Sequence, residues 1–167
     1  MANQFTWIEI YQEFATVLSG WQDRQAELIA FLEDLRAQKY VIVSLQDKNS
    51  AGERFPLTEI DPFTFMGVFN RGIRDEQRIA ILGKIKKYFQ LQSSVPSDFS
   101  GIPVLSNMKS WFFPYQDRRE SGHISRLWHI FQLALQENPL KTTKFLEAFD
   151  DVLSMRGVNI NLTMGLF

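Results

Sequence analysis

The residues best suited to chemistry in this chain are arginines and lysines set beside aromatic rings. The densest stretch is Lys109-Ser110-Trp111-Phe112-Phe113-Pro114-Tyr115-Gln116-Asp117-Arg118-Arg119. Rings that stack on bases and cations that hold the phosphate backbone are the two parts of a single-strand nucleic-acid site. Trp111 and Phe112 read better as core, whereas Arg118 and Arg119 are expected at the surface. A second stretch, Ile60 to Ile73 (IDPFTFMGVFNRGI), sets a dense apolar run against an abrupt Asn70-Arg71-Gly72. It is either a buried helix with a glycine-containing end, or a helix whose Asn70 and Arg71 face a ligand. In the second case Arg71 grips a phosphate with its bidentate fork. Arg74, Arg78, Lys84, Lys86 and Lys87 follow, mainly on the outer surface of the next predicted helix. The candidate phosphate contacts are therefore Arg71, Arg74, Arg78, Lys84, Lys86, Lys87, Arg118 and Arg119. Asn70 and Tyr115 are the candidates for a base or sugar. A third stretch, Met155 to Thr163, has the helix, glycine turn and helix of a helix-hairpin-helix, whose turn N–H groups face a DNA phosphate. Asn159 stands where that motif prefers a second glycine, and an ordinary helical corner is the stronger reading.

Charge is unevenly spread along the 167 residues. Residues 1–70 carry five basic and ten acidic side chains, residues 71–126 ten basic and five acidic, and the remainder three and four. An acidic start and a basic middle fit a charged face for a polyanion. Solvated helix faces of opposite sign that partly pair with each other are the equal alternative.

Several chemistries lack their residues. There is no cysteine, so disulfides and thiolate metal sites are excluded. Gly83-Lys84 is followed by Ile85, so no phosphate-binding loop is present. No Asp or Glu has Lys two residues on, the spacing common in metal nucleases. The two histidines, His123 and His129, are six apart on one predicted helix and point to different sides. No cofactor and no catalytic set is expected in this chain. The N-terminal stretch lacks the pattern of a signal peptide, and no apolar run is long enough to span a membrane. A cytoplasmic location is expected.

The elements that must position these residues are helices. Phe5 through Glu9 predicts a capping box on Thr6 and Glu9 with a Phe5–Ile10 staple, opening a helix that ends at Ser19-Gly20. A second helix is predicted over about 23–38, burying Leu28, Phe31, Leu32 and Leu35, and forming a hairpin with the first. Tyr40 to Val43 is either a strand, paired back through Phe55-Pro56-Leu57, or an extension of that helix. Asp61-Pro62 predicts a helix start. Further helices are predicted over about 75–89, 107–113, 121–136 and from Thr143 to a cap at Gly157. The last two should bury Leu135, Leu146 and Leu153 with their neighbours. The final residues, Asn161 to Phe167, read as an apolar helix cut short, as in a fragment of a longer polypeptide.

Three segments together resemble a known family. They are IDPFTFMGVFNRGI at 60–73, VPSDFSGIPVLSNMKSWFF at 95–113 and GVNINLTMGLF at 157–167. They are similar to the N-terminal region of some McrB-like AAA+ ATPases of modification-dependent restriction systems. The likeness spans about 58–167 and is strongest in its first block. It implies target recognition or DNA contact, with an ATPase domain on the same polypeptide and a separate nuclease subunit supplying hydrolysis and cleavage. No site residue comes with it.

The resulting expectation is a mainly α single domain of about six to seven helices, with a small β-hairpin near 40–57. A helical hairpin over 1–38 precedes a main helical body over 58–167. The leading function is DNA binding for a restriction-type ATPase. The alternatives are a protein-interaction or oligomer-support module, and a small-molecule sensor with a pocket lined by phenylalanines.

Overall fold

Asp61 organises the centre of the molecule. In the computed structural model, which describes residues 5–106, 111–158, 162, 165 and 166, its Oδ1 accepts from the Phe63 and Thr64 N–H groups at 2.9 and 3.0 Å. Those are two of the donors a helix start leaves open. Pro62 supplies the first helical φ, and helix α3 runs Pro62–Gly67. Three of its flanking groups reach distant segments. Ile60 N–H donates to Gln25 Oε1 at 2.8 Å, Trp128 Nε1 donates to Ile60 O at 3.0 Å, and Phe112 N–H donates to Thr64 Oγ1 at 2.9 Å. A six-residue helix could not hold itself together; three distant segments fasten this one.

The remaining elements surround it. Helices α1 (Ile8–Leu18) and α2 (Gln25–Ala37) are joined by a 3-10 turn over Ser19–Arg24 rather than broken at Gly20. Helix α4 spans Asp75–Phe89, α5 His123–Ala134 and α6 Thr143–Ser154. Aromatic rings fill the junctions. Phe14 of α1 lies 6.0 Å from Phe65 and 5.0 Å from Phe89, and Phe31 of α2 lies 6.4 and 6.0 Å from the same two rings. On the other side of α3, Phe63 stacks on Phe112 at 5.3 Å and meets Phe131 of α5 edge-on at 5.4 Å. The mainly α class with a two-stranded antiparallel sheet is as the sequence predicts.

The hairpin sits later than the β-branched run suggests. Strand β1 is Gln46–Lys48 and β2 is Arg54–Pro56, with Asp47 opposite Phe55. The turn chemistry explains the shift. Asn49 Oδ1 accepts from the Ala51 and Glu53 N–H groups, and Gly52 takes a φ of +83°. Tyr40 to Val43 is neither strand nor helix.

Other local expectations are revised. Thr6 makes no capping box, since its hydroxyl donates to Asp98 O at 3.2 Å while Trp7 stands at the N-cap. Trp7 Nε1 donates to Ser100 O at 3.0 Å, laying residues 5–7 on the 98–101 loop. Helix α6 is capped by Thr142, whose hydroxyl accepts from Phe145 N–H at 3.3 Å. It ends three residues before Gly157, whose φ is +94° and whose backbone lies against Pro114. Leu135, Leu146 and Leu153 are exposed rather than core. The expected helix start at Asn107 and the turn residues Asn159 to Asn161 lie outside the described residues. Among the described residues no helix is long and apolar enough to cross a membrane.

Candidate nucleic-acid interface

The sequence-predicted cations divide by where their charge is answered. Arg71 is buried, with Nε donating to Val68 O at 2.9 Å and Nη2 to Val41 O at 3.2 Å. Its burial lowers the guanidinium pKa below the ordinary value. Arg78 is also buried. Its Nη2 donates to Arg71 O at 2.8 Å, its Nη1 reaches Asp75 Oδ1 at 3.3 Å, and its guanidinium lies 4.8 Å from the Phe99 ring centre. These two forks close the irregular backbone after α3, whose carbonyls have no helical partner. Arg119 is the third internal guanidinium: Nη2 donates to Asp47 Oδ2 at 2.7 Å and Nη1 to Pro114 O at 3.3 Å. The expectation that Arg71, Arg78 and Arg119 present free forks to phosphate is corrected by these partners.

Helix α4 carries four further candidates. Arg74 is exposed at its N-cap position. Lys84 Nζ donates to Gln38 Oε1 at 3.0 Å and lies 5.5 Å from the Tyr40 ring centre. Lys86 Nζ donates to the Gln92 and Ser93 carbonyls at 2.9 and 2.6 Å, closing the chain reversal after α4. Lys87 is exposed. Asn70 faces inward: its Nδ2 donates to Pro103 O at 2.9 Å, and its Oδ1 is buried without a partner. It holds the 102–105 loop beside Arg71, where Leu105 N–H donates to Asn70 O.

Tyr115 and Arg118 remain outside, and the hairpin joins them. Asp47 is fully buried on β1. Its Oδ1 accepts from Lys48 N–H and Gln116 N–H at 2.8 Å each, while its Oδ2 takes the Arg119 fork. That carboxylate fastens the hairpin to the 3-10 turn over Gln116–Arg118. The consequence is a patch on the outer side. Tyr115 is 38% exposed, with Lys48 Nζ 5.1 Å from its ring centre and Trp111 edge-on at 6.0 Å. Arg54 is the cross-strand partner of Lys48. Like charges across a strand pair are unfavourable unless something anionic lies between them. Arg118 is exposed, its Nε 3.6 Å from Asp117 Oδ2. Arg156 is exposed beside Gly157, which abuts Pro114.

Lys48 and Arg54 were not among the candidates read from the sequence. They stand in the acidic first 70 residues, in a stretch read mostly as a polar turn. The available signal was Asn49 with Gly52 three residues on, which places the turn and hence the pairing of its flanks. Chemically, the patch offers one exposed ring with cations around it, and no general acid–base pair. Among the described residues no group of three His, Asp or Glu is placed to hold a metal. His123 is buried, and its pKa is lowered first by that burial and then by Arg126, which favours the neutral ring.

A family model covers residues 7–167, nearly all of this geometry. The chain belongs to DUF8425, a domain of unknown function. No curated protein and no solved structure matches it. The DUF8425 match includes both the hairpin and α1, so it joins the N-terminal residues to the 58–167 body as one family unit.

Proposed function

We propose that this DUF8425 chain is a DNA-recognition domain, acting in the cytoplasm as the non-catalytic target-reading part of a restriction-type AAA+ ATPase. The observation that carries this reading is the exposed Tyr115 ring beneath the Lys48 ammonium, flanked by Arg54 and Arg118. A ring at the surface stacks on a base, and the surrounding cations hold the phosphates on either side. The likeness of 60–73 and 95–113 to McrB-like N-terminal regions supplies the parent system: an ATPase domain on the same polypeptide and a separate nuclease subunit.

Fluorescence anisotropy with labelled single- and double-stranded DNA, methylated and unmethylated, tests it across a salt series. Binding should weaken steeply as salt rises. Tyr115→Ala should cost about 1–3 kcal/mol of affinity. Lys48→Ala and Arg118→Ala should each lower the salt slope by about one. Absence of binding to every form at low salt, or unchanged binding by all three variants, overturns the reading.

A second reading rests on Leu135, Leu140, Leu146 and Leu153, all exposed within the α5–α6 region. Leu146 and Leu153 are seven apart and share one stripe of α6. A protein-docking surface there would give association that persists at high salt and is lost in Leu146→Lys, as read by sedimentation.

A further inference from the structure

Two cavities adjoin where α1, α3 and α5 meet the chain near Leu166. The larger has a volume of about 450 Å³ and a mainly apolar wall that includes Trp7, Met66, Phe131 and Leu135. The smaller, about 40 Å³, shares Trp7, Tyr11 and Met66 with it and adds Asn70. It has room for a water-sized group and little more.

Two residues of these walls carry a polar atom without a partner. The Tyr11 hydroxyl and Asn70 Oδ1 are both buried with no hydrogen bond. A buried polar atom left unpaired is costly, and each such atom in a native structure calls for a partner. Burial raises the Tyr11 pKa, so the hydroxyl keeps its proton and can donate. The Asn70 amide nitrogen is committed to Pro103 O, which leaves the unpartnered Oδ1 of this wall residue as a pure acceptor. The small chamber therefore asks its occupant for both a donor and an acceptor, and the large chamber asks for apolar bulk.

We propose that this cleft binds a compact apolar molecule with a terminal hydroxyl or primary amide. The polar end sits between Tyr11 and Asn70, and the hydrocarbon fills the large chamber. The volume and the balance of apolar wall to few polar groups are those of small-molecule sites. The site stands independently of the nucleic-acid patch and involves none of its residues.

Isothermal calorimetry on the whole chain, with octanol, octanamide and the methyl ether of octanol, tests it. The alcohol and the amide should bind saturably. The ether, which has no hydrogen for Asn70 Oδ1, should bind about tenfold more weakly. Tyr11→Phe should weaken the alcohol by about tenfold. Ala134→Phe, which fills the large chamber, should abolish binding of all three. No saturable heat with any probe overturns the proposal. So does equal affinity for alcohol and ether in the unmodified chain, a comparison that needs no variant to fold. A resident water bridging Tyr11 and Asn70, undisplaced by octanol in a crystal, overturns it as well.

Discussion

The region around α3 and the region around the hairpin use the same charged residue types to opposite ends. After α3, Arg71 and Arg78 turn inward onto the Val41, Val68 and Arg71 carbonyls, and Asp61 turns inward onto two amides. Among the described residues no guanidinium or ammonium is paired with Asp61, and its Oδ2 has no hydrogen-bond partner. At the hairpin, one buried carboxylate, Asp47, takes one buried guanidinium, Arg119, and two N–H groups. That closed arrangement leaves Arg54 and Arg118 turned toward water and Lys48 half-buried over the Tyr115 ring. The difference teaches that a basic stretch of sequence is not a basic surface. Guanidiniums are drawn in where irregular backbone leaves carbonyls unpaired, and stay out where a single ion pair already closes the structure.

The sharpest way to break the comparison is Asp47→Ala. It strands the Arg119 fork and two N–H groups in a buried site, so it should cost about 3–5 kcal/mol in urea unfolding. It should also reduce DNA affinity, because the hairpin that carries Lys48 and Arg54 loses its attachment. Arg78→Ala should cost about 3 kcal/mol, by removing the partner of Arg71 O and the cover over Phe99. Here DNA affinity should be unchanged in whatever protein remains folded, and a loss equal to that of Arg118→Ala would erase the distinction between the two regions.

The unpaired Asp61 gives the next effect. Its burial raises the carboxyl pKa from 3.8 to about 6, against the lowering by the Thr64 and Phe63 hydrogen bonds. The folded state therefore holds the extra proton between those two values, and stability is greatest below them. It should fall by about 2–3 kcal/mol as pH rises through that window, then level off. Asp61→Asn should flatten the slope, which urea midpoints across the window would read directly. A slope that survives the substitution would assign the proton elsewhere. Arg118→Ala is the smallest effect on stability, within about 0.5 kcal/mol of the parent. It should appear only in the salt dependence of DNA binding.

Most of the helical frame was legible in the sequence, and the reasons are local. Asp61-Pro62 announced α3, and the spacing of Leu28, Phe31, Leu32 and Leu35 announced α2, because caps and periodicity act within a few residues. The departures have nonlocal causes. Thr6 was claimed by Asp98 O, 92 residues away, in place of a capping box. Tyr40 and the β-branched Val41 to Val43 lost the strand to Gln46–Lys48, because the Asn49–Gly52 turn sets where the chain can reverse. Leu146 and Leu153 matched a buried stripe by spacing, yet α6 turns them outward.

The candidate site was legible in part. Tyr115 and Arg118 were visible as an aromatic beside a cation, and they are exposed. Lys48 and Arg54 were not, since their place beside Tyr115 depends on Asp47 reaching across about 70 residues of chain to Gln116 and Arg119.

By itself the sequence determined the helical class, the start of α3, the absence of thiol chemistry and of a phosphate-binding loop, and which residues carry charge. Only the tertiary structure decided which of those charges reach water. A guanidinium's partner is a carbonyl or carboxylate brought near by the fold: Val41 O for Arg71, Asp47 for Arg119. Residue type sets what a side chain can bond, and long-range packing sets what it meets.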